Sequence, residues 1–511
     1  MYDCYRAIRG YVVALALVPA VGAGCGSSSD SGGTTPTQTG ISLAVACNDT
    51  FDTFYQVPDG MPAFDDSQRG AVVRCSPAGS YTLDQLDATA TTLGYHGSIM
   101  KSGTTAYRVA YRTQRATRAD GTTPDGIASA TLFVPDHIRG ADGTSPLLVV
   151  GHGTVGIGGR CAPSRGDLTA TGGHLDDYRA LVIPLVAAGW VVIAPDYPGY
   201  GYGETTGYML AEDVAHGLLD ATRAATKLFK PGVLSGKVVF VGHSQGGHAA
   251  ISAQAYASSY GMDGTLVGVA TMAPMWFSEL GFAAMLSPLA GYTTSADPYP
   301  LSYALAYFYT HGENLDGPGH GLDMFQAAKQ DAVRNIATND CLYEAAADMP
   351  SLGAKPSDFF DTTFAQSVGV CGVTGTCDGV SQVWGERCRA DRPAIDAHGA
   401  PLLIWQGGAD TTISPGLAVC GLDKLKSDLS AVSDASTTIK FCVDPTATHS
   451  GFTDDKGVDL SAAITRRSMD WVAQWIDART VGGAEPADCV GEEAFDTDAG
   501  PTKCSTPPPN D

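Results

Sequence analysis

The sequence predicts an α/β fold in which a mostly parallel sheet carries helices on both faces. Strand-like and helix-like segments alternate over residues 191–270, which is typical of successive β-α-β units. A β-branched run at residues 238–241 leads into a glycine-flanked serine and then into small helix-forming residues, as in a strand, a sharp turn and a helix. Over residues 273–400 this alternation is lost, and the segment is rich in Ala, aromatic residues and short helical patterns. Such a long excursion between two halves of one sheet predicts an inserted, mainly helical cap.

The serine in the turn is Ser244, and its surroundings have the form G-x-S-x-G with Gly242 and Gly246 as the glycines. A serine held in an unfavourable backbone conformation between a strand and a helix needs neighbours without Cβ atoms, because the two elements would otherwise collide. This arrangement pushes the hydroxyl out to where a substrate can reach it. Ser244 is therefore the predicted nucleophile, and the alternative is a glycine-rich turn after an ordinary strand.

A serine hydroxyl near neutral pH needs a base to take its proton and an acid to orient that base. A buried-strand pattern at residues 401–407 leads into a loop that carries Asp410. A β-prone run at residues 437–443 leads into a loop that carries His449. The chain order Ser244, Asp410, His449 is the order of an α/β-hydrolase, so the sequence predicts that fold and a catalytic triad.

Three other residues compete for the roles of base and acid. His243 adjoins Ser244 in sequence, but adjacent side chains point in different directions. His248 lies one turn into the following helix. Asp444 ends the same strand that precedes His449 and does not lie on a separate loop. We therefore prefer an acid and a base on two separate loops.

Acyl transfer also requires donors aimed at the oxyanion that develops on the substrate. One predicted donor is the backbone N–H of Gln245, at the start of a helix whose dipole favours negative charge. The second donor is expected from the loop after an early strand at residues 146–151. In that loop Thr154 is the preferred donor and Gly153 is the next choice.

Several motifs together resemble the secretory lipase family of the Candida lipase A type. They are His152-Gly153-Thr154, Cys161-Ala162-Pro163-Ser164, A-P-D-Y-P-G-Y-G at 194–201, L-D-A-T-R-A at 219–224 and G-H-S-Q-G-G-H at 242–248, with an early strand at 107–112. The resemblance runs from about residue 51 to about residue 476. It implies an α/β-hydrolase with a large cap that hydrolyses carboxylic esters, commonly acylglycerols, with Ser244, Asp410 and His449 at the matching positions. A serine peptidase on the same fold and a non-catalytic surface-binding lipoprotein remain alternatives.

The predicted organisation has six parts. They are a signal peptide at 1–25, a flexible Ser/Gly/Thr linker at 26–45, the first part of the core at 46–272, the cap at 273–400, the second part of the core at 401–480 and an acidic, Pro-rich tail at 481–511. Where the chain leaves the sheet, Met275, Trp276 and Phe277 are predicted to bind the acyl chain, since a fatty chain needs dry, deformable walls. The alternative is that they are core residues of the cap.

The chain carries 31 basic and 54 acidic residues, a formal net charge of −23. This charge disfavours nucleic acid and anionic membrane surfaces as partners. No C-x-x-C spacing and no cluster of histidines predicts a metal site, and serine acyl transfer requires no cofactor. The sequence leaves the oligomeric state open.

The N-terminal residues resemble an export signal. Two arginines precede an apolar run over residues 11–21, which is too short to span a bilayer comfortably, and small residues follow it. Cys25 then stands where a bacterial lipoprotein signal is cleaved, so it is a candidate for lipidation, with simple secretion as the alternative. The lipid would anchor the chain to a bacterial membrane through the flexible segment.

Cysteine parity argues against that anchor. Of the 13 cysteines, removing Cys4 with the signal and Cys25 as a lipid site leaves 11, an odd number. Either one thiol is free or the lipid interpretation is wrong. An exported chain with this many cysteines is expected to form disulfides, and proximity in sequence suggests Cys371 with Cys377, Cys47 with Cys75, and Cys489 with Cys504.

Overall fold

The computed structural model describes residues 41–140, 142–275, 281–450 and 459–495. The strands in these segments are β1 (Val72–Tyr81), β2 (Thr104–Gln114), β3 (Asp125–Pro135), β4 (Ser145–Gly151), β5 (Val191–Pro198), β6 (Leu234–His243), β7 (Thr265–Met272), β8 (Leu402–Gly407) and β9 (Ile439–Asp444). They form one sheet in the order β1-β2-β3-β5-β4-β6-β7-β8-β9. Neighbouring strands are parallel from β5 to β9, whereas β1 to β3 and the β3–β5 pair are antiparallel.

Helices cover both faces of this sheet. In chain order the α-helices are α1 (Phe51–Phe54), α2 (Leu83–Thr92), α3 (Asp176–Ala187), α4 (Ala211–Leu228), α5 (Gln245–Tyr260), α6 (Gly281–Met285), α7 (Tyr299–His311), α8 (Gln330–Asn339), α9 (Leu342–Leu352), α10 (Thr362–Thr374), α11 (Gly379–Ala390), α12 (Pro415–Ser430) and α13 (Ile464–Thr480). Residues of α2, α3 and α13 share one hydrophobic core with the sheet, and residues of α4, α5 and α12 share another. The predicted α/β fold is thus confirmed.

The central strand β6 shows why this sheet is buried on both sides. Val238 and Phe240 face the core that contains α4 and α5, whereas Val239 and Val241 face the core that contains α3 and α13. Because successive side chains of a strand point to opposite faces, a continuous run of apolar residues satisfies both cores at once. This arrangement fixes the position of the C-terminal end of β6 and of the turn that follows it.

Between Met272 at the end of β7 and Leu402 at the start of β8, the chain leaves the sheet. In the described part of this insertion the regular elements are α6 to α11 and short 3-10 and π-helical turns. The insertion has a hydrophobic core of its own, in which Phe308 of α7 packs against Phe364 and Trp384. The strands β7 and β8 nevertheless pair directly, so the insertion separates them in sequence but not in the sheet.

Four disulfides lie within the described residues: Cys47–Cys75, Cys161–Cys341, Cys371–Cys377 and Cys442–Cys489. The first and third are pairs predicted from sequence. The predicted pair Cys489–Cys504 is wrong, because Cys489 follows α13 at a place where it meets Cys442 of β9 across the sheet edge. Cys388, on α11, is a free and buried thiol. Cys25 and Cys504 lie outside the described residues.

Candidate active site

Ser244 lies in the turn between β6 and α5, with backbone angles φ of 55° and ψ of −120°. This left-handed conformation is costly for a residue with a side chain, and it is a recognised feature of a nucleophile turn. A Cβ on Gly242 would lie 2.0 Å from the carbonyl oxygen of Gly246, and a Cβ on Gly246 would lie 2.0 Å from that of Gly151. The two glycines therefore permit the close approach of strand and helix that exposes the serine hydroxyl.

The structure brings Ser244, Asp410 and His449 together in one hydrogen-bonded chain. The Nε2 of His449 lies 3.0 Å from Ser244 Oγ, and its Nδ1 lies 2.8 Å from Asp410 Oδ2. Because an ionised carboxylate only accepts hydrogen bonds, Nδ1 carries the proton and Nε2 is left to accept one from the serine. Three loops that follow three different strands supply the three side chains.

Electrostatics at His449 favour its charged form. Burial alone lowers the pKa of this imidazole, but the Asp410 carboxylate and its hydrogen bond outweigh burial, with a further contribution from Asp177, and the pKa is raised. The Asp410 carboxylate is itself held in place, since its Oδ1 accepts hydrogen bonds from the N–H groups of Thr412 at 2.9 Å and Ile413 at 2.8 Å. The acid is thus fixed by its own loop and cannot swing away from the imidazole.

The competing residues do not reach the serine. His243 lies beneath the triad: its Nε2 is 3.0 Å from the carbonyl oxygen of His449, and burial followed by repulsion from His449 places its pKa well below the usual value. His248 is bonded instead to the carbonyl oxygen of Asp391, at 2.6 Å. Asp444 forms an ion pair with Arg467 at 2.7 Å. His243 has a supporting role that its position next to the nucleophile did not reveal.

The residues predicted to bind the oxyanion flank Ser244 on two sides. Gln245 is the first residue of α5, so its N–H is among those that no helical carbonyl accepts. On the other side, a Cβ on Gly153 would lie 3.7 Å from the Cβ of Ser244, so the loop after β4 packs directly against the nucleophile. The carbonyl oxygen of His152 in this loop accepts a hydrogen bond from the Tyr197 hydroxyl at 2.8 Å. Thr154, the preferred second donor, follows in the same loop.

Sequence reasoning missed Tyr208, whose hydroxyl lies 2.9 Å from Thr154 Oγ1. The residue precedes α4, and its N–H donates to the hydroxyl of Thr310 on α7 at 3.2 Å. Its ring also packs edge-on against Phe282 of α6. Tyr208 therefore joins the Thr154 loop to the helical insertion. Only the pairing of distant segments in the fold reveals this, because no motif surrounds Tyr208 in the sequence.

A cavity of about 510 Å³ opens in front of Ser244 and His449. The core contributes Thr154, Asp177, Tyr178, Gln245 and Ile413 to its lining, and the insertion contributes Met285, Tyr299, Tyr303 and Tyr343. Met275, one of the predicted acyl-binding residues, lines the cavity as well. Trp276 and Phe277 lie outside the described residues. Of the other apolar residues of this stretch, Phe282 is buried in the core of the insertion, whereas Leu289 is exposed.

Two further properties concern metals and membranes. Across the segments that the structure describes, no group of three or more His, Cys, Asp or Glu side chains is arranged to hold a metal ion. Over the same segments, no helix combines the length and the apolar character needed to cross a bilayer.

Part of the chain matches a known protein family. The model of the secretory lipase family matches residues 168–277, which include α3, α4, β6 and the Ser244 turn. The resemblance inferred from the sequence motifs is thereby confirmed. No functionally curated sequence matches the chain significantly.

Solved structures share the fold at low sequence identity. Candida antarctica lipase A in its closed state superposes with a TM-score of 0.57 at 17% identity, covering 89% of this chain and 94% of that one. The rice cell wall degrading esterase LipA from Xanthomonas oryzae, in a ligand-bound form, gives 0.55 at 20% identity, covering 80% and 99%. A putative hydrolase from Legionella pneumophila gives 0.56 at 17% identity, covering 79% and 98%. At these identities the likeness shows a common fold.

Proposed function

We propose that this chain, a carboxylic ester hydrolase similar to the secretory lipases, cleaves its substrate by two-step acyl transfer through Ser244. The observation that carries the proposal is the hydrogen-bonded chain from Asp410 through His449 to Ser244, with distances of 2.8 and 3.0 Å. A nucleophile, a base within reach of its proton and an acid that orients the base are the parts that such a reaction needs.

The first step forms an acyl-enzyme. As the hydroxyl oxygen of Ser244 attacks the ester carbonyl, its proton moves to Nε2 of His449, and Asp410 stabilises the resulting imidazolium. The backbone N–H groups of Gln245 and Thr154, with Gly153 as the alternative to Thr154, donate to the oxyanion, which is worth several kcal/mol of barrier in enzymes of this type, roughly 3 per donor. His449 then protonates the departing alcohol.

The second step reverses these roles with water in place of the alcohol. His449 takes a proton from water, which attacks the acyl-enzyme, and Ser244 recovers its proton as the acid is released. Neither step needs a metal ion or an organic cofactor, because the charges that develop are met by protein donors and by the imidazolium.

The cavity supports an ester with an apolar acyl chain, such as an acylglycerol. Its volume of about 510 Å³ lies within the usual range of ligand pockets, roughly 300–1,000 Å³. The side chains of Met209, Met275 and Met285 supply flexible apolar walls near the serine. Because much of the lining comes from residues 281–343, we propose that the insertion at 273–400 is a cap that covers the substrate.

The disulfides and the family match indicate export. We propose further that Cys25 is lipidated and anchors the protein to the cell envelope. The buried thiol of Cys388 removes the parity objection, because setting aside Cys4, Cys25 and Cys388 leaves 13 − 3 = 10 cysteines, an even number.

The test of the proposed reaction is the replacement of the nucleophile. We expect Ser244→Ala to abolish hydrolysis of p-nitrophenyl butyrate and labelling by a fluorophosphonate probe, with an unchanged circular dichroism spectrum. Ser252→Ala is the matched control, because Ser252 lies two turns further along α5, buried and away from the cavity. Substantial ester hydrolysis by Ser244→Ala would refute the assignment.

A further inference from the structure

Besides Asp297, the lining of the cavity contains a second aspartate, Asp177. It is the second residue of α3, and its Oδ1 forms an ion pair with Nη1 of Arg466 at 3.2 Å. The arginine side chain is almost fully buried at 1% exposure, whereas the aspartate retains 27%. Asp177 belongs to the lining of the same cavity as Ser244 and His449.

The position of Asp177 relates it to the departing alcohol. Arg466 lies in the first turn of α13, and Ala463, the residue just before that helix, pairs with Thr448, the neighbour of His449. The carboxylate that Arg466 binds therefore lies on the His449 side of the cavity. The imidazole is the group that protonates the leaving alcohol, so a side chain beside it lies on the alcohol side of the reacting ester. The methionines that suit an acyl chain are separate members of the lining.

The part of the cavity lining around Asp177 favours an alcohol that donates hydrogen bonds. A carboxylate offers about four acceptor sites, and the contact with Arg466 occupies one of them. In the same lining, the Nε2 atom of His174 and both polar side-chain atoms of Gln245 are buried without a hydrogen-bond partner. Lys and Arg are absent from the described residues of the lining, so an anionic alcohol would meet only negative charge there.

We propose that Asp177 forms a subsite for the leaving alcohol, which selects esters whose alcohol carries a second hydroxyl beside the ester oxygen, as partial glycerides do. The proposal rests on the proposed function, because it assigns a substrate class to the same site. Arg466 balances the charge of the carboxylate, so the subsite recognises a hydrogen-bond donor and not a cation. An alcohol without that donor would leave the Asp177 carboxylate desolvated and without a hydrogen bond to the substrate. This cost is the strongest source of discrimination available to such a site.

The test compares three esters that share the butyryl group, so that the acyl site cancels from the ratios. They are glycerol monobutyrate, 2,3-dimethoxypropyl butyrate, which has the same skeleton without donors, and choline butyrate, which carries a cation. For the full chain we expect kcat/KM to be at least about tenfold higher for the glycerol ester than for the dimethoxy ester. A ratio near one, or a preference for the choline ester, would overturn the proposal.

Variants locate the effect. Asp177→Asn should bring the ratio close to one. It should also move the acidic limb of the pH profile to lower pH, because the ionised Asp177 carboxylate adds to the raised pKa of His449, while burial raises the pKa of Asp177 as well. Asp177→Glu should retain most of the preference. The double variant Asp177→Asn/Arg466→Gln removes both charges of the ion pair, so that neither charge is left buried without the other. Asp331→Asn is the matched control, because Asp331 is the second residue of α8 and pairs with Arg334 on the surface.

Failure of the subsite can be distinguished from failure of the proposed function. If the full chain hydrolyses neither p-nitrophenyl butyrate nor any of the three esters, the proposed function fails. If it hydrolyses p-nitrophenyl butyrate but not the glycerol ester, the proposed function stands and the subsite is wrong. If it hydrolyses the three esters through Ser244 but all variants show the same ratio as the unmodified chain, the triad stands and the role of Asp177 is wrong.

Discussion

His449 is the residue whose protonation decides when the proposed triad works. The base must be neutral to accept the serine proton, and the Asp410 carboxylate raises its pKa despite burial. Activity is therefore lost as pH falls through that raised pKa, so the acidic limb of kcat/KM should lie above the value near 6.5 of a free imidazole. A pH profile with a soluble ester measures this limb.

Asp410→Asn tests the cause of that limb. The substitution removes the charge that stabilises the imidazolium and changes the preferred tautomer, so we expect kcat to fall by about 10⁴ and the acidic limb to move to lower pH. An acidic limb that keeps its position in this variant would show that the carboxylate does not set the pKa of His449.

We propose that Tyr208 positions the loop after β4 that carries Thr154. Its hydroxyl holds Thr154 Oγ1 at 2.9 Å, and a hydrogen bond of this kind is worth about 1 kcal/mol, so we expect Tyr208→Phe to lower kcat by roughly fivefold with KM almost unchanged. Tyr309→Phe is the control, because Tyr309 lies on α7 outside the cavity lining. A loss confined to KM would indicate a role in binding the substrate instead.

At the scale of elements, the disulfide Cys161–Cys341 ties the insertion to the core. Cys341 precedes α9, and beside it the N–H of Leu342 donates to the carbonyl oxygen of Val155 at 3.0 Å. The bond joins positions 180 residues apart, so replacing both cysteines by serine should lower the free energy of unfolding by roughly 5 kcal/mol. Denaturant unfolding monitored by fluorescence measures the change.

The pair Cys371–Cys377 provides the comparison, since it closes a loop with a sequence separation of only 6. The same argument gives roughly 2 kcal/mol for its removal. Equal losses for the two pairs would mean that the stability of the chain does not depend on how the insertion is tied to the core.

The same elements show how far the sequence predicts this structure. Ser244, Asp410 and His449 could be predicted from the sequence because each lies in a loop just after an apolar strand. Parallel strands end at the same edge of a sheet, so these loops meet. The proposed roles of Tyr208 and Asp177 could not be predicted, because they depend on contacts with α7 and α13, which are far away in sequence. For the same reason proximity in sequence found the short-range disulfides and failed at Cys489, whose partner Cys442 is 47 residues away.

At the scale of the whole molecule, the sheet and the insertion contribute different parts of the site. The sheet holds Ser244, Asp410 and His449 in the loops after β6, β8 and β9, whose pairing with neighbouring strands fixes their positions. The insertion supplies much of the lining and reaches the oxyanion loop through Thr310, Tyr208 and the disulfide of Cys341. We therefore propose that substrate range varies with the insertion while Ser244, Asp410 and His449 stay in place, as when one fold supports different functions.

Lipidation at Cys25 would place the whole enzyme at a membrane that its net charge of −23 would otherwise repel. Acyl chains contribute about 0.8 kcal/mol per buried methylene, so two chains give stable anchoring. We expect the protein, produced with its own signal in a bacterial host, to incorporate labelled palmitate and to enter the detergent phase, whereas Cys25→Ala should do neither and should keep its esterase activity. Cys4→Ser is the control, because Cys4 precedes the proposed cleavage position and would be removed with the signal. An unmodified protein that stays unlabelled in the aqueous phase would mean simple secretion, with Cys25 retained as an ordinary thiol or disulfide partner.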